Sequence, residues 1–236
     1  MRDYLTLHKD AEPMRYFMRG SHPDWSRFPA QTVNYIASHD DRCWIDKITE
    51  NGGHDGHRPT ANDRRRTHLM AAILMMSVGI PMLASGMDHL KSKGGENNTY
   101  LRGDLNAIPY KRMCEYSGTV EYFRRWIAFR LGPLGRYLRL DGFPGDEVFM
   151  TSRRDRLFGM IYNAQVTLGP DRLLFVVNPT FEYGQLRFTE QKLGGFRQLA
   201  DAERWGDPFL AEPLFEVSGS RIEVPPLSCG LFLEQG

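Results

Sequence analysis

The sequence has 236 residues, with 30 Lys and Arg against 29 Asp and Glu, so its formal net charge is +1. Apolar residues make up 41% and charged residues 25%, which is typical of globular proteins and argues against global disorder. The balanced charge argues against a nucleic-acid partner bound through a broad cationic surface. The length allows one large domain or two small ones.

The first half of the chain alternates strand-like and helix-like segments. Residues 32–37 (TVNYIA) predict an apolar strand, and residues 63–76 predict a helix with Asn62 or Asp63 as its N-cap. Residues 80–84 predict a second, buried strand. Strand, loop, helix and strand in this order are typical of a parallel βα arrangement.

An uncharged run from Leu69 to Met87 has 19 residues, and a membrane span needs about 20. Gly79 and Pro81 divide the run, so a buried helix followed by a buried parallel strand explains its composition. We therefore expect no membrane partner.

A further helix is predicted over residues 118–131 (GTVEYFRRWIAFRL). Its apolar residues recur at helical spacing and predict one buried face formed by Val120, Phe123, Ile127 and Leu131. Gly132 and Pro133 end this helix.

After about Arg139 the pattern changes to short β-prone runs separated by Gly, Pro, Asn or Asp. The runs are 147–151, 157–162, 172–177, 184–188, 215–217, 221–224 and 227–233. Such closely spaced strands predict an antiparallel β-sandwich of about 95 residues.

Cysteine use and the first residues favour a cytoplasmic protein. Cys43, Cys114 and Cys229 are too few and too far apart for a disulfide framework, which predicts reduced thiols. The opening MRDYLTLHKD lacks the apolar segment of a signal peptide.

Polar segments follow both predicted parallel strands, where α/β folds place functional residues. His39 and Asp40 come directly after the first strand. A carboxylate beside an imidazole suits stabilisation of the positive charge that develops in glycoside hydrolysis. The alternative is that Asp40 only caps the next element.

A metal site is a competing hypothesis, because imidazole and carboxylate groups cluster in this region. The residues are His39, Asp40, Asp41, His54, Asp55 and His57. A metal-dependent hydrolase would use these residues as metal ligands. Two observations argue against it: the His-Asp pair follows a strand rather than lying on a helix, and no H-x₃-H pair lies on a helix. We expect no metal. Phosphate-binding and elbow-serine motifs are also absent from the sequence, and no cofactor is predicted.

Several segments resemble, in collinear order, the pullulanase/isoamylase-type debranching branch of the α-amylase superfamily of glycoside hydrolases. The segments are VNYIASHDDRCWIDKIT, ILMMSVGIPMLASGMDHLKSKGGENNTYLRGDLNAIPY, TVEYFRRWIAFRLGPLGRYL, LLFVVNPTFE and IEVPPLSCGLFL. They resemble the seventh strand, the eighth strand with its loop, the last barrel helix and pieces of the C-terminal sandwich. The resemblance implies the last strands and helices of a (β/α)₈ barrel over residues 1–138 and an antiparallel β-sandwich over 139–236.

The resemblance also implies site residues. Asp40 matches the carboxylate that stabilises the transition state, and His39 would bind the same sugar. Asp41, Lys93, Asn98 and Tyr100 match substrate-binding positions. Trp44 could stack on a sugar or lie in the core. Three positions depart from the family pattern, with Asp41 for Asn, Asp88 for Glu and Tyr110 for Trp.

The nucleophilic Asp and the general acid Glu of this family belong to the fourth and fifth strands, which precede the matched region. We therefore expect a C-terminal part of an α-glucan debranching enzyme that is inactive alone. Its expected partners are an α-glucan and the missing N-terminal barrel half as a separate chain. The alternative is a non-catalytic glucan-binding or assembly module.

Overall fold

The computed structural model describes residues 1–20, 26–143, 145–152 and 156–236. The helices are α1 (Arg2–Leu5), α2 (Glu12–Met18), α3 (Trp44–Ile48), α4 (Ala61–Met76), α5 (Gly103–Asn106), α6 (Lys111–Glu115) and α7 (Ser117–Leu131). The strands are β1 (Val33–Asn34), β2 (Ile80–Pro81), β3 (Glu147–Ser152), β4 (Leu157–Tyr162), β5 (Arg172–Asn178), β6 (Gly184–Arg187), β7 (Arg197–Ala200), β8 (Glu216–Ser218), β9 (Arg221–Val224) and β10 (Ser228–Glu234).

The C-terminal half of helix α4 lies in the core of the protein. Residues 69–76 (LMAAILMM) are each at most 3% exposed. The predicted N-cap is wrong, because Thr60 caps the helix and Asp63 lies inside its first turn. The Thr60 hydroxyl accepts a hydrogen bond from the Asp63 N–H, and the Asp63 carboxylate accepts one from the Thr60 N–H at 2.9 Å. This reciprocal capping box starts the helix at Ala61.

The uncharged run divides into a helix and a strand, as its glycine and proline predict. The prediction that the strand is buried is wrong, because Ile80 and Met82 are 44% and 37% exposed. Helix α4 ends at Met76, and β2 begins at Ile80. Within the described ranges, no helix combines the length and the apolar character that crossing a membrane requires.

Strands β1 and β2 form a parallel pair, which confirms the predicted strand direction. Val33 pairs with Ile80, and Asn34 pairs with Pro81. Both strands are shorter than the predicted runs, because each has one partner and no further strand pairs with them in the described part of the chain. Two parallel strands therefore end side by side, and their following loops start from the same edge.

The second half contains two antiparallel sheets. One has five strands in the order β3-β4-β5-β10-β7, and the other has three in the order β6-β9-β8. All seven predicted strands are present. Strand β7 was not predicted, since its four residues (RQLA) carry two polar side chains and it lies at the edge of the sheet.

The five-stranded sheet is covered on both faces. Phe158, Phe175 and other alternate residues join a core cluster that also contains α4 and α7, whereas Leu174 and Phe232 pack against the three-stranded sheet. The Tyr162 hydroxyl donates a 2.6 Å hydrogen bond to the Met76 carbonyl at the end of α4. One hydrophobic core therefore runs across residue 138, where the sequence predicts a domain boundary.

The predicted buried face of α7 is wrong in part. Phe123 is buried, but Ile127 and Leu131 are 37% and 72% exposed. The helix instead buries Trp126 and Arg130. The Arg130 guanidinium donates to the carbonyls of residues 75, 77 and 79, just where α4 ends, and this offsets the burial of its charge. Burial lowers the pKa of Arg130 to about 10.

We predict that Trp126→Ala strongly destabilises the protein. The indole packs edge-on against Phe175 of β5 and Trp205, with ring centroids 6.1 and 4.9 Å apart, so it joins α7 to the sheet. Truncation of a buried Trp costs about 3–5 kcal/mol of the free energy of unfolding, measured by urea denaturation. Leu131→Ala is the control and should change it by less than about 0.5 kcal/mol. Equal losses would contradict this packing.

We predict that the free energy of unfolding decreases on acidification because of His68. Its Nδ1 lies 2.7 Å from the Ala202 carbonyl, its Nε2 lies 3.0 Å from the Thr119 hydroxyl, and burial lowers its pKa from the ordinary 6.5. The unfolded chain therefore takes up this proton at higher pH than the folded chain, and the free energy of unfolding decreases as the pH falls below about 6.5.

The measurement is urea denaturation of wild type, His68→Gln and the exposed control His8→Gln at about pH 7.5 and about pH 5.5. His68→Gln should lose less stability between the two pH values than wild type does, whereas His8→Gln should follow wild type. A pH dependence unchanged in His68→Gln would refute the assignment.

Candidate functional site

A pocket of about 490 Å³ lies where the two parallel strands end. The segment that follows β1 and the segment that follows β2 both line it. Its lining residues include Ala37, Ser38, His39, Asp40, Cys43, Trp44, Met82, Leu83, Ala84, Lys93, Asn98, Thr99, Tyr100 and Asn106. Five of the six predicted site residues are therefore brought together here, and Asp41 is absent from the lining.

Asp40 and His39 lie at the mouth of the pocket. Their side chains are 72% and 90% exposed, and His39 Nε2 lies 3.5 Å from Asp40 Oδ1. The Asp40 carboxylate is therefore available to a ligand, and the imidazole lies close enough to orient it. Asp40 does not cap the following helix, because the N-cap position of α3 is occupied by Cys43.

Asp41 shapes the turn and faces away from the pocket. Its φ of 61° is left-handed, a region in which Asp and Asn are enriched. Its N–H donates to the Asn98 side-chain carbonyl at 3.2 Å, and its carboxylate lies 3.7 Å from Lys47 Nζ. Asn98 thereby joins the loop after β1 to the loop after β2.

Lys93 lines the pocket although it is 4% exposed. Its ammonium donates to the Asp41 carbonyl at 3.0 Å and to the Thr99 hydroxyl at 2.8 Å. An ammonium has three N–H groups, so one remains for a ligand. Lys93 thus joins the same two loops that Asn98 joins.

The two aromatic candidates differ in position. Tyr100 is 84% exposed, and its ring is accessible at the pocket edge. Trp44 is buried, and its indole N–H donates to the Thr67 hydroxyl of α4 at 3.0 Å. Trp44 is therefore a core residue that forms the floor of the pocket.

Several residues of the site were not predicted from sequence. Thr99 and Asn106 line the pocket and bond each other, with Thr99 Oγ1 donating to Asn106 Oδ1 at 2.7 Å. Cys43 also lines it, and burial raises the pKa of its thiol. Asp46 lies below the lining in the segment WIDK, which the family resemblance includes without giving Asp46 a role.

The clustered histidines and aspartates do not converge on one point. His57 Nδ1 lies 2.8 Å from Asp55 Oδ1, apart from the pair formed by His39 and Asp40. In the ranges that the structure describes, no three His, Cys, Asp or Glu side chains are arranged to hold a metal ion. The hypothesis of a metal-dependent hydrolase therefore has no ligand set in this part of the chain.

Sequence comparison identifies debranching enzymes as relatives. The chain is 33% identical over 106 residues to a pullulanase of Bacillus subtilis (strain 168), and the match covers 43% of this chain and 14% of that protein. It is 28% identical over 128 residues to an isoamylase of Flavobacterium sp, covering 45% of this chain and 16% of that protein. No family model matches the sequence.

Solved pullulanases share the fold along nearly the whole chain. The maltose complex of pullulanase type I from Bacillus subtilis str. 168 matches 98% of this chain with a TM-score of 0.78 and 18% identity. A pullulanase from Paenibacillus barengoltzii in complex with maltohexaose and alpha-cyclodextrin matches 99% with a TM-score of 0.77 and 20% identity. This chain spans 32% and 35% of those two chains. It is thus a relative of the pullulanase-type debranching glycoside hydrolases and corresponds to part of their length.

Proposed function

We propose that the chain binds α-glucans in the pocket at the ends of β1 and β2, as the C-terminal part of a debranching glycoside hydrolase. Residues 1–138 would form the last two strands and the last helices of a (β/α)₈ barrel, and residues 139–236 its C-terminal sandwich. The convergence of both parallel strand ends on a pocket with Asp40 at its mouth supports this proposal most strongly, because (β/α)₈ enzymes act at that end of their strands.

In this proposal Asp40 stabilises the transition state. Cleavage of a glucosidic bond passes through an oxocarbenium-like state, and a nearby carboxylate lowers the energy of that positive charge. His39 would bind the same glucose ring, and Tyr100 would stack on a neighbouring one. Lys93 would offer its remaining N–H to a sugar hydroxyl, and Asn98 and Asp41 would hold the two loops in register.

Hydrolysis needs two further carboxyl groups. A retaining glycosidase uses a nucleophile and a general acid about 5–5.5 Å apart. Among the described residues that line the pocket, Asp40 is the one acidic side chain. We therefore propose that the nucleophile and the acid come from other barrel strands, and that these 236 residues alone bind glucan without cleaving it.

An exposed apolar surface supports the proposal of an incomplete barrel. We define it by Ile80, Leu83, Ile127, Leu131 and Leu140, which line a groove of about 610 Å³. Exposed apolar patches of this kind mark interaction sites, and among the described residues no strand pairs with the outer edges of β1 and β2, which such edges need to bury their polar groups. We propose that a polypeptide carrying the preceding barrel strands packs here and extends the parallel sheet.

We predict that Asp40→Asn weakens glucan binding about tenfold or more, since a hydrogen bond to a charged group contributes about 1.5–3 kcal/mol. Isothermal titration of maltohexaose into the purified chain measures the effect. Asp10→Asn is the matched control, because Asp10 is exposed and its carboxylate faces Arg156 at 3.8 Å, outside the pocket lining. Equal affinities of wild type and Asp40→Asn would contradict the role of Asp40.

We predict that the chain hydrolyses pullulan only when it is combined with the preceding barrel strands. The test mixes it with a polypeptide carrying those strands from the Bacillus subtilis pullulanase and measures complex formation and release of reducing sugar. Leu131→Asp should prevent the complex, because it places a charge on the apolar surface. Leu214→Asp is the control, since Leu214 is also exposed and lies outside that surface.

Two outcomes would change this account. Robust hydrolysis of pullulan or glycogen by the chain alone would refute the incomplete catalytic site. Glucan binding without complex formation or hydrolysis in any mixture would favour the non-catalytic glucan-binding module.

A further inference from the structure

A fully buried carboxylate lies directly beneath the pocket. Asp46 belongs to α3 and is 0% exposed, and it is absent from the pocket lining. Asp46 Oδ1 accepts hydrogen bonds from the Ser92 hydroxyl at 2.5 Å and from the Gly56 N–H at 3.0 Å. Asp46 Oδ2 accepts one from the Lys93 N–H at 2.8 Å. All three donors lie on loops, and a buried carboxylate needs such donors to offset its loss of hydration.

The loop around Gly56 is built closely around this carboxylate. A Cβ at Gly56 would lie 2.6 Å from Asp46 Oδ1, so glycine allows the backbone N–H to reach the oxygen. The same loop carries His57, whose carbonyl accepts a 2.9 Å hydrogen bond from Arg112. The loop around Gly56, which also carries His54, Asp55 and His57, is thus tied to the base of the pocket.

Hydrogen bonds continue from Asp46 to the pocket lining. The backbone of Lys93 is held by Asp46, and the Lys93 ammonium holds the Asp41 carbonyl and the Thr99 hydroxyl. The Thr99 hydroxyl in turn donates to the Asn106 side chain, whose amide group donates back to the Thr99 carbonyl at 2.6 Å. Asp46 therefore fixes one end of a chain of contacts that runs through residues 92–106.

We propose that Asp46 is a positioning residue that orders residues 91–106 before glucan binds. It holds the backbone of Ser92 and Lys93 in place, so that Asn98, Thr99 and Tyr100 line the pocket opposite Asp40. An asparagine at position 46 would have one acceptor oxygen instead of two. Its NH₂ group would face some of the three donors that Asp46 accepts from, and at least one of them would be left unpaired. The role of Asp46 in glucan affinity rests on the proposed function, whereas its role in loop order does not.

The test compares Asp46→Asn with Asp63→Asn by hydrogen exchange of the free chain and by maltohexaose titration. Asp63 is a matched control, since it is also 0% exposed and accepts hydrogen bonds from Thr49, Glu50 and Thr60, outside residues 91–106. Asp46→Asn should speed amide exchange locally in residues 54–58 and 91–106 and weaken maltohexaose binding about tenfold. Asp63→Asn should lower global stability and leave the amide exchange of residues 91–106 and the maltohexaose affinity unchanged, because its donors lie at residues 49, 50 and 60.

Ser92→Ala is a milder second variant in case Asp46→Asn does not fold. It removes the Ser92 bond to Asp46 and the bond that Ser92 Oγ accepts from the Gly94 N–H, so it should loosen the same loop to a smaller extent. Unchanged exchange of residues 91–106 in both Asp46→Asn and Ser92→Ala, or equal loosening by Asp63→Asn, would overturn the proposal. If wild type does not bind maltohexaose but Asp46→Asn loosens the loop, the positioning role stands and the glucan assignment fails.

Discussion

The structure depends on helix α4, whose last eight residues are buried on all sides. Helix α4 must be covered by apolar neighbours, because its last eight residues present no polar face to water. On the side of the pocket, the Trp44 indole donates a hydrogen bond to Thr67 of this helix. On the side of the sandwich, the Tyr162 hydroxyl donates one to the Met76 carbonyl at its end. The pocket and the sandwich are therefore held at fixed positions by the same rigid element.

The arrangement around α4 also explains why the site is only partly enclosed. The five-stranded sheet packs against one side of the helices, whereas in the described ranges β1 and β2 form a parallel sheet of two strands. A parallel sheet with apolar faces is normally buried on both faces. Ile127 and Leu131 are exposed beside β2, where we propose that further barrel strands pack.

Much of this fold could be predicted from the sequence because its signals are local. Alternating apolar residues and turn residues identified seven strands, and Gly79 and Pro81 separated α4 from β2. The remaining features depend on distant contacts. Arg130 is buried because carbonyl groups at and just after the end of α4 accept its N–H groups. Helical periodicity alone predicts that Leu131 is buried and Arg130 is not. Asp46 resembles any helical aspartate until the loops at residues 56 and 92 are seen to meet it.

A crystal structure of the chain in complex with maltotriose tests the central claim most directly. The account predicts a glucose ring within hydrogen-bond distance of Asp40 and His39, a second ring against Tyr100, and residues 91–106 in the same conformation as in the free chain. A maltotriose bound elsewhere on the molecule, with this pocket empty, would contradict the account.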